Sequence, residues 1–372
     1  MAGPVRNLRA AGIFAGLVKR RLNLLLIFLP LSWVAWAVSP HSPWLFALDA
    51  LSLVPLAGLI GQATDELAKR TGPTLGGLLN ATFGNAAELI IGLSALKAGH
   101  IVLVQASITG SIIGNLLLVF GLACFAGGLG RTSQRFSRTA AGNATIMLFL
   151  GVVALVMPAV FDLSLFGNLQ ARPPAIYKLS FWTSILLILA YTGSLIYSFT
   201  TRKDLLRPVE DRERARWSGK TAIVVLAAAT ALTVVQAELL VAALQPTLDA
   251  FGLTELFTGV ILVAIVGNAA EHYTAIDAAR RDQMTLSVEV AVGSSAQIAL
   301  LVAPALVLTS FAFGQPMSLL FHPFEIAAIG LSVLATAIVV LDGQTNWVEG
   351  LQLLGVYVVM ALAFYYIPAV TP

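Results

Sequence analysis

A short polar motif occurs twice in an otherwise apolar chain. The sequence Gly-Asn-Ala-Ala-Glu occupies residues 84–88 and again residues 267–271. In each copy the Asn and the Glu are three residues apart, so on a helix their side chains project from the same face. The Gly-Asn pair weakens a helix, and local unwinding would free carbonyl oxygens. Such oxygens suit a hard divalent cation such as Ca²⁺, which predicts a cation site formed by Gly84, Asn85, Glu88, Gly267, Asn268 and Glu271, with Glu88 and Glu271 as the metal ligands.

Further similarity surrounds the two motifs. A Gly-Ser pair follows each glutamate at the same distance, at 110–111 and 293–294, and each motif is preceded by another glutamate in an apolar stretch, Glu66 or Glu238. We therefore interpret the two regions as internal repeats. Glu66 and Glu238 are candidates for gating or proton relay, with pairing to a helix end as the alternative.

The composition places the chain in a membrane. Of its 372 residues 58% are hydrophobic and only 11% are charged, whereas about 25% are charged in a soluble domain. Because so few charged side chains cannot cover so apolar a core, a water-soluble enzyme is excluded. Cys124, the only cysteine, lies in an apolar run, which excludes a disulfide framework and a thiolate metal cluster.

Hydropathy predicts an all-α integral membrane protein with eleven transmembrane helices. A spanning helix needs about 20 mainly apolar residues, and the sequence lacks the alternating pattern of barrel strands. The predicted spans lie near residues 22–39, 45–68, 74–97, 101–126, 139–161, 177–200, 221–244, 254–278, 286–313, 324–341 and 348–367.

The distribution of lysine and arginine supports this map. If the chain crosses the membrane at each span, 19 of the 22 basic residues fall on one side, and Lys97, Arg172 and Lys178 fall on the other. The positive-inside rule assigns the larger group to the cytoplasm, so the amino terminus is inside and the carboxy terminus outside. Alternatively, Arg20, Arg21 and the apolar run after them form a cleaved signal peptide; because the run is long for one, we expect the helix to be retained.

Spans and repeats together predict the domain organisation. Residues 1–43 hold an amino-terminal segment with the first helix, 44–200 a five-helix repeat, 201–220 a basic cytoplasmic linker and 221–372 a second five-helix repeat. Because each repeat crosses the membrane five times, an odd number, the second repeat starts on the opposite side of the membrane and is inverted relative to the first. Many secondary transporters are built from inverted repeats, with the binding site at the midplane.

The motifs resemble those of a known family. Gly-Asn-Ala-Ala-Glu-Leu-Ile at 84–90, Gly-Asn-Ala-Ala-Glu-His at 267–272 and Gly-Ser-Ser-Ala-Gln-Ile-Ala-Leu at 293–300 are similar to those of the Ca²⁺/H⁺ exchangers, within the cation/Ca²⁺ exchanger superfamily. The resemblance implies a peripheral first helix and ten helices in two inverted repeats. It also implies export of cytosolic Ca²⁺ in exchange for protons, with Glu88 and Glu271 as the central carboxylates.

The same resemblance implies ligands from the neighbouring helices, which fall here on Ser111, Asn115 and Ser294. Strict repeat symmetry would pair Asn115 with Ile298, whose apolar side chain cannot bind an ion. We expect the adjacent Gln297 to substitute. The loss of one ligand position in the second half is evidence against several Na⁺ sites.

The remaining polar residues receive separate interpretations. His272, beside a predicted ligand, is a candidate proton relay near neutral pH, although it faces a different side of the helix. Glu289, Glu325 and Glu349 open helices, where a carboxylate interacts favourably with the helix dipole, so capping is predicted. The segment 203–220 is basic overall, which predicts a solvated linker rather than a regulatory Ca²⁺-binding helix.

Two classes of function follow. The leading one is an antiporter with alternating access in which Ca²⁺ and protons compete for the two-glutamate site, in a prokaryotic plasma membrane, without a resident cofactor or a nucleic-acid partner. A homo-oligomer is left open. A Na⁺-coupled exchanger or a cation channel is the alternative within transport. The other class is an intramembrane enzyme, which the absence of H-E-x-x-H and G-x-S-x-G motifs from the sequence disfavours.

Overall fold

The computed structural model describes residues 22–167, 174–201 and 215–368. These residues are almost entirely helical, because a helix satisfies every backbone hydrogen bond internally in an apolar environment. The helices are α1 Asn23–Val38, α2 Leu45–Phe83, α3 Ala86–Lys97, α4 Ile101–Gly128, α5 Arg138–Phe166, α6 Pro174–Thr201, α7 Gly219–Ala242, α8 Leu244–Phe251, α9 Glu255–Gly267, α10 Ala269–Arg280, α11 Met284–Ala312, α12 Pro323–Val340 and α13 Trp347–Tyr366. The loops before α5 and α13 pair as two short antiparallel strands, β1 Gln134–Arg135 and β2 Gln344–Thr345.

The described ranges contain eight helices long and apolar enough to cross a membrane, or nine if α8 and α9, which meet at 114°, form one span. The first predicted span corresponds to the shorter apolar helix α1. The predicted span 74–97 is an interrupted helix: α2 bends at Gly72, whose φ is 84°, and the chain breaks again at Asn85. The predicted span 254–278 is likewise divided, between α9 and α10.

Part of the sequence map lies outside the described residues. This holds for residues 1–21 with the candidate signal-peptide arginines, for Arg172, for residues 202–214 of the basic linker and for residues 369–372. The described end of the linker leads into α7, where the Ser218 hydroxyl accepts a hydrogen bond from the Thr221 amide and so caps the helix.

Helices α4 and α11 form the centre of the bundle. In α4, 83% of the apolar window is buried inside the protein, against 22% in α6, whose apolar side chains face outward. Both central helices contain a π-helical segment, Gly114–Val119 in α4 and Ile298–Val302 in α11. Each segment begins a few residues after a Gly-Ser pair. Insertions of this kind are frequent at functional sites.

Glycines set the distance between α4 and α9. A methyl group added at Gly110 would lie 2.0 Å from the carbonyl oxygen of Val260, and one added at Gly259 would lie 2.5 Å from Cβ of Ala106. Larger residues would therefore push the two helices apart. The close approach brings Ser111, next to the first glycine, against the helix that carries the second motif.

A buried polar cluster joins α1 to α2 and α7. Asp49, which has no exposed surface, accepts hydrogen bonds from the Ser32 hydroxyl, from the Trp36 indole at 3.1 Å and from the Gln236 amide at 2.9 Å. The Gln236 amide also donates to Ser32 at 3.0 Å, and its oxygen accepts from the Trp33 indole at 2.9 Å. The cluster therefore fastens the first helix to α2 and α7.

We expect Asp49→Val to lower the thermal unfolding midpoint of the purified protein by several degrees. The substitution removes the shared acceptor, and each buried donor left unsatisfied costs about 1–3 kcal/mol. Fluorescence-detected size-exclusion after heating would measure the shift. Asp249→Val is the control, because Asp249 is exposed and bonds only to Gln245 of its own helix within the described residues. Equal midpoints for the two variants would show that the cluster does not stabilise the fold.

Candidate cation site

Both sequence motifs interrupt a helix at their asparagine, as the Gly-Asn pairs predict. The backbone of Asn85 (φ −104°, ψ 25°) and that of Asn268 (φ −88°, ψ 16°) leave the helical range, and α3 and α10 begin at the next residue. Glu88 and Glu271 consequently lie in the first turn of a helix. The partial positive charge at a helix N-terminus stabilises a carboxylate in this position.

The two asparagines bond across to the other half of the chain. Asn85 donates its amide hydrogen to Gln297 Oε1 at 2.5 Å. Asn268 donates to Ser111 Oγ at 2.8 Å and accepts from the Asn115 amide at 2.9 Å. The fold thus brings predicted amide and hydroxyl ligands into contact, including the substitute Gln297.

Several oxygens at this centre are buried and have no hydrogen-bond partner among the described residues. They are both carboxylate oxygens of Glu88, Oε2 of Glu271, Oδ1 of Asn85 and Oδ1 of Asn115. Glu88 lies against Gly267, four residues before Glu271, so the two carboxylates belong to one centre. Since buried polar atoms are normally paired, and since carboxylate and amide oxygens are hard-cation ligands, this set fits a divalent cation.

One motif glycine lies beside the glutamate of the other motif. A methyl group added at Gly267 would come within 3.2 Å of Glu88 Cγ, so the glycine leaves room for that side chain. Gly84 and Glu271 line one cavity. The described ranges hold no group of three or more His, Cys, Asp or Glu side chains placed to hold a metal ion, so oxygen ligands other than carboxylates are needed to complete a coordination shell.

A cavity of about 380 Å³ reaches Glu271 but not Glu88. Its polar lining includes Gln62, Asn80, Thr274, Ser294 and Gln297. Glu88 borders a separate void of about 10 Å³, which is about the space of a single water molecule. The two carboxylates of the site therefore differ in access.

The residues around the two spaces correspond by position in the repeats. The void is lined by Glu88, Ile91, Ser107, Ser111, Val263 and Gly267. Each of these residues has a partner in the other half of the chain, offset by the number of residues that separates Glu88 from Glu271. In the same order, the partners are Glu271, Thr274, Val290, Ser294, Asn80 and Gly84. All six of these partners line the cavity.

The candidates for gating and proton relay lie outside this lining. Glu66 accepts hydrogen bonds from the backbone amides of Arg216 at 2.6 Å and Trp217 at 2.9 Å, just before α7 begins, contacts that fit the helix-end alternative. Glu238 is half exposed and forms an ion pair with Lys97 at 3.0 Å, so the two glutamates occupy different settings. His272 is partly buried and does not line the cavity.

The capping prediction is right for two glutamates and wrong for a third. Glu325 completes a capping box by accepting a hydrogen bond from the His322 amide at 2.8 Å, and Glu349 lies in the first turn of α13. Glu289 does not lie in a first turn, because α11 already begins at Met284, before the predicted span. Glu289 instead lines the cavity.

Sequence reasoning missed the wall that α2 contributes to the cavity. This wall consists of Gly58, Gly61, Gln62 and Asp65. Small and polar residues at spacings of three and four mark one face of a helix, so the signal was present in the sequence. Asn80 and Thr274, which also line the cavity, carry no comparable pattern.

Comparison with known proteins gives relatives along nearly the whole chain. The model of the sodium/calcium exchanger protein family matches twice, over residues 41–200 and 221–366. The curated Ca²⁺/H⁺ antiporter of Synechocystis sp. is 42% identical over 368 residues, which cover 93% of this chain and 97% of the relative. The Ca²⁺/H⁺ antiporter ChaA of Bacillus subtilis is 44% identical over 342 residues, 90% of this chain and 96% of the relative.

Solved structures share the fold. The structure of native YfkE superposes with a TM-score of 0.81 at 40% identity, covering 93% of this chain and 100% of that one. The H⁺/Ca²⁺ exchanger CAX gives a TM-score of 0.69 at 16% identity, covering 93% and 92%, which supports the fold alone. With two matches of one family model and relatives of this identity, the chain belongs to the sodium/calcium exchanger protein family.

Proposed function

We propose that the protein is a secondary active antiporter that exports cytosolic Ca²⁺ in exchange for protons. The observation that carries the proposal is the set of buried, unpartnered oxygens where two interrupted helices meet. The curated Ca²⁺/H⁺ antiporters among the relatives support the choice of ions. Glu88 and Glu271 bind the cation, with Asn85, Asn268, Ser111, Asn115, Ser294 and Gln297 supplying neutral ligands or holding them in place.

Coupling arises because Ca²⁺ and protons compete for the same two carboxylates. Two neighbouring carboxylates in a low-dielectric site favour protonation when no cation is bound. A divalent cation stabilises the ionised form of both. The site switches its access from one side of the membrane to the other only when it holds Ca²⁺ or is neutralised by protons. Burying the empty site with two negative charges would cost too much free energy. This exclusion links the two fluxes.

Alternating access is supported by the unequal access to the two glutamates. The cavity reaches Glu271, while Glu88 borders only a small void with the matching lining. In a transporter with inverted repeats, an exchange of conformation between the repeats closes one access path and opens its counterpart. The structure then represents one access state, and the void marks the path that opens in the other.

The proposed layout has eleven spans. The peripheral first helix lies in 1–43, inverted repeats in 44–200 and 221–372, and the cytoplasmic linker in 201–220; the two family-model matches support this division. The cavity is lined by residues of α2, α10 and α11. Lys69 follows the lining residue Asp65 by one helical turn, and Arg280, whose carbonyl accepts a hydrogen bond from Arg131 at 3.1 Å, ends α10. By the positive-inside rule the side with these basic residues is cytoplasmic, in the plasma membrane of a prokaryote.

Cysteine labelling tests the orientation. In a Cys124→Ala background, Ser133→Cys and Gln315→Cys should react with a membrane-impermeant maleimide from opposite sides of the membrane. Both positions are exposed, between α4 and α5 and between α11 and α12 respectively. Ser133 is expected to label only after permeabilisation and Gln315 in intact cells. Reaction of both from one side would contradict the eleven-span map.

Flux in sealed vesicles tests the function. Purified protein in proteoliposomes should carry a Ca²⁺ flux, and the direction of this flux should reverse when the imposed pH gradient is reversed. A flux driven by a Na⁺ gradient alone would favour a Na⁺-coupled exchanger. A Ca²⁺ flux that dissipates its own gradient without moving protons would favour a channel, in which rings of glutamate also select cations.

A further inference from the structure

Glu289 lies on the wall of the cavity, away from the central site. It shares one face of α11 with Ser294 and Gln297, which line the same cavity. At 1.5 Å per residue, Glu289 is about 12 Å from Gln297 along the helix axis. Its side chain is exposed, and no hydrogen bond or ion pair joins it to another described residue. The capping role expected from the sequence does not account for it.

The described lining of the cavity is acidic. It contains three acidic residues, Asp65, Glu271 and Glu289, and neither lysine nor arginine. A cleft lined by one sign of charge with low-dielectric walls concentrates ions of the opposite sign.

A second observation points to a cation in this cavity. Glu271 is only 8% exposed and lines the cavity, and its Oε2 has no partner among the described residues. A cation that enters the cavity therefore meets accessible carboxylates, Asp65 and Glu289, before it reaches the buried one; Glu289 is the one that shares α11 with Ser294 and Gln297. Tyr273 and Thr274 line the cavity as well.

The carboxylate at 289 is specific to this side of the protein. The matching position in the other half is Ala106, which is fully buried against Gly259. The neighbouring pair, Val290 and Ser107, both line their respective spaces. The repeated architecture therefore does not require an acid at this position. Because the carboxylate occurs in one repeat only, it indicates a function specific to the cavity side of the protein.

We propose that Glu289 forms a staging site for the divalent cation: Ca²⁺ first binds there while still partly hydrated, and then loses water as it moves to Glu271. The proposal rests on the proposed function and adds a site to it. One carboxylate with water and neutral oxygens forms a weak Ca²⁺ site, from which the ion leaves readily. Such a site raises the capture rate at low Ca²⁺ and leaves turnover at saturation unchanged.

Transport from each side separates this role from a structural one. For Glu289→Gln and Glu289→Ala, the apparent KM for Ca²⁺ presented on the cavity side should rise about tenfold, within the range known for electrostatic capture. The kcat, and the KM from the opposite side, should match the wild type. Glu289→Asp keeps the charge and should keep the wild-type KM. Asp249→Asn, which removes an exposed carboxylate that bonds to Gln245 of its own helix, is the matched control.

Three outcomes decide the question. If wild-type protein exchanges Ca²⁺ for protons but Glu289→Gln shows an unchanged cavity-side KM, the staging site is wrong and the proposed function stands. Equal losses of kcat from both sides would also overturn it, because they indicate a structural defect. If the wild type fails to exchange, the proposed function falls.

A binding measurement covers the case in which the amide variant folds poorly. Tb³⁺ serves as the probe in a Glu88→Gln/Glu271→Gln background, where the central carboxylates are gone. Tyr273 lines the cavity and should sensitise Tb³⁺ luminescence. The signal should be lost in Tyr273→Phe, kept with Glu289→Asp and reduced severalfold with Glu289→Ala. Equal signals with and without the carboxylate at 289 would overturn the proposal.

Discussion

Glu88→Gln and Glu271→Gln are each expected to abolish Ca²⁺/H⁺ exchange while leaving expression close to the wild-type level. The amide keeps the size and shape of the side chain but removes both the charge that binds Ca²⁺ and the group that takes up the proton. One remaining carboxylate cannot neutralise a divalent cation in a buried site. Flux into proteoliposomes, normalised to the amount of folded protein, measures the loss.

Asp249→Asn provides the control for this pair of variants. It makes the same carboxylate-to-amide change at an exposed residue that bonds to Gln245 of its own helix, away from both spaces of the site, so transport should be unaffected. Wild-type exchange by either central variant would show that the two-carboxylate site is wrong. Loss of exchange in the control as well would point to a general defect of the reconstituted protein.

Apparent Ca²⁺ affinity is expected to fall as the pH falls, and Ca²⁺ binding is expected to release protons. Protonation of Glu88 or Glu271 removes a ligand, so the protonated site must lose its proton before the cation binds. Below the pH at which the empty site titrates, the affinity should decrease about tenfold per pH unit for each proton displaced. Above that pH it should become constant.

Calorimetry in buffers of different ionisation enthalpy counts the protons released. A value near two at low pH would mean that both carboxylates are protonated in the empty site, and a value near one that they share a proton. No release over the pH range of transport, or an affinity independent of pH, would rule out competition. A Na⁺-coupled or channel mechanism would then be the better explanation.

The parts of the site that could be predicted from the sequence are the residues that occur at the same spacing in both repeats. Asn85 and Asn268 interrupt their helices because Gly-Asn pairs are weak helix formers, and the same residues recur at the same spacing. Their bonds to Gln297 and Ser111 cross between residues far apart in the chain. No local pattern predicts such contacts, which depend on how α4 and α11 pack.

The surroundings of surface residues and of residues near helix ends were harder to predict, because they depend on tertiary contacts and on the residue at which each helix begins. Glu66 and Glu238 look alike in sequence, since each is a single acid in an apolar stretch. Glu66 is buried, accepts hydrogen bonds from two backbone amides just before α7 and pairs with Lys69, whereas Glu238 is half exposed and pairs only with Lys97 among the described residues. Glu289 shows the converse case, because a start of α11 a few residues earlier than expected turns a capping residue into a cavity residue.

The cluster around Asp49 also constrains the order in which the chain can assemble. Ser32 and Trp36 are 17 and 13 residues away from Asp49, so α1 and α2 can satisfy the acid as a hairpin soon after both have been synthesised. Gln236 follows 187 residues later. During biogenesis the hairpin must therefore hold a buried carboxylate on two bonds, and the arrival of α7 at the hairpin adds the third. In ribosome-bound intermediates that end before α7, we therefore expect α1 and α2 to be inserted in the membrane but to lack the hydrogen bond from Gln236 to Asp49.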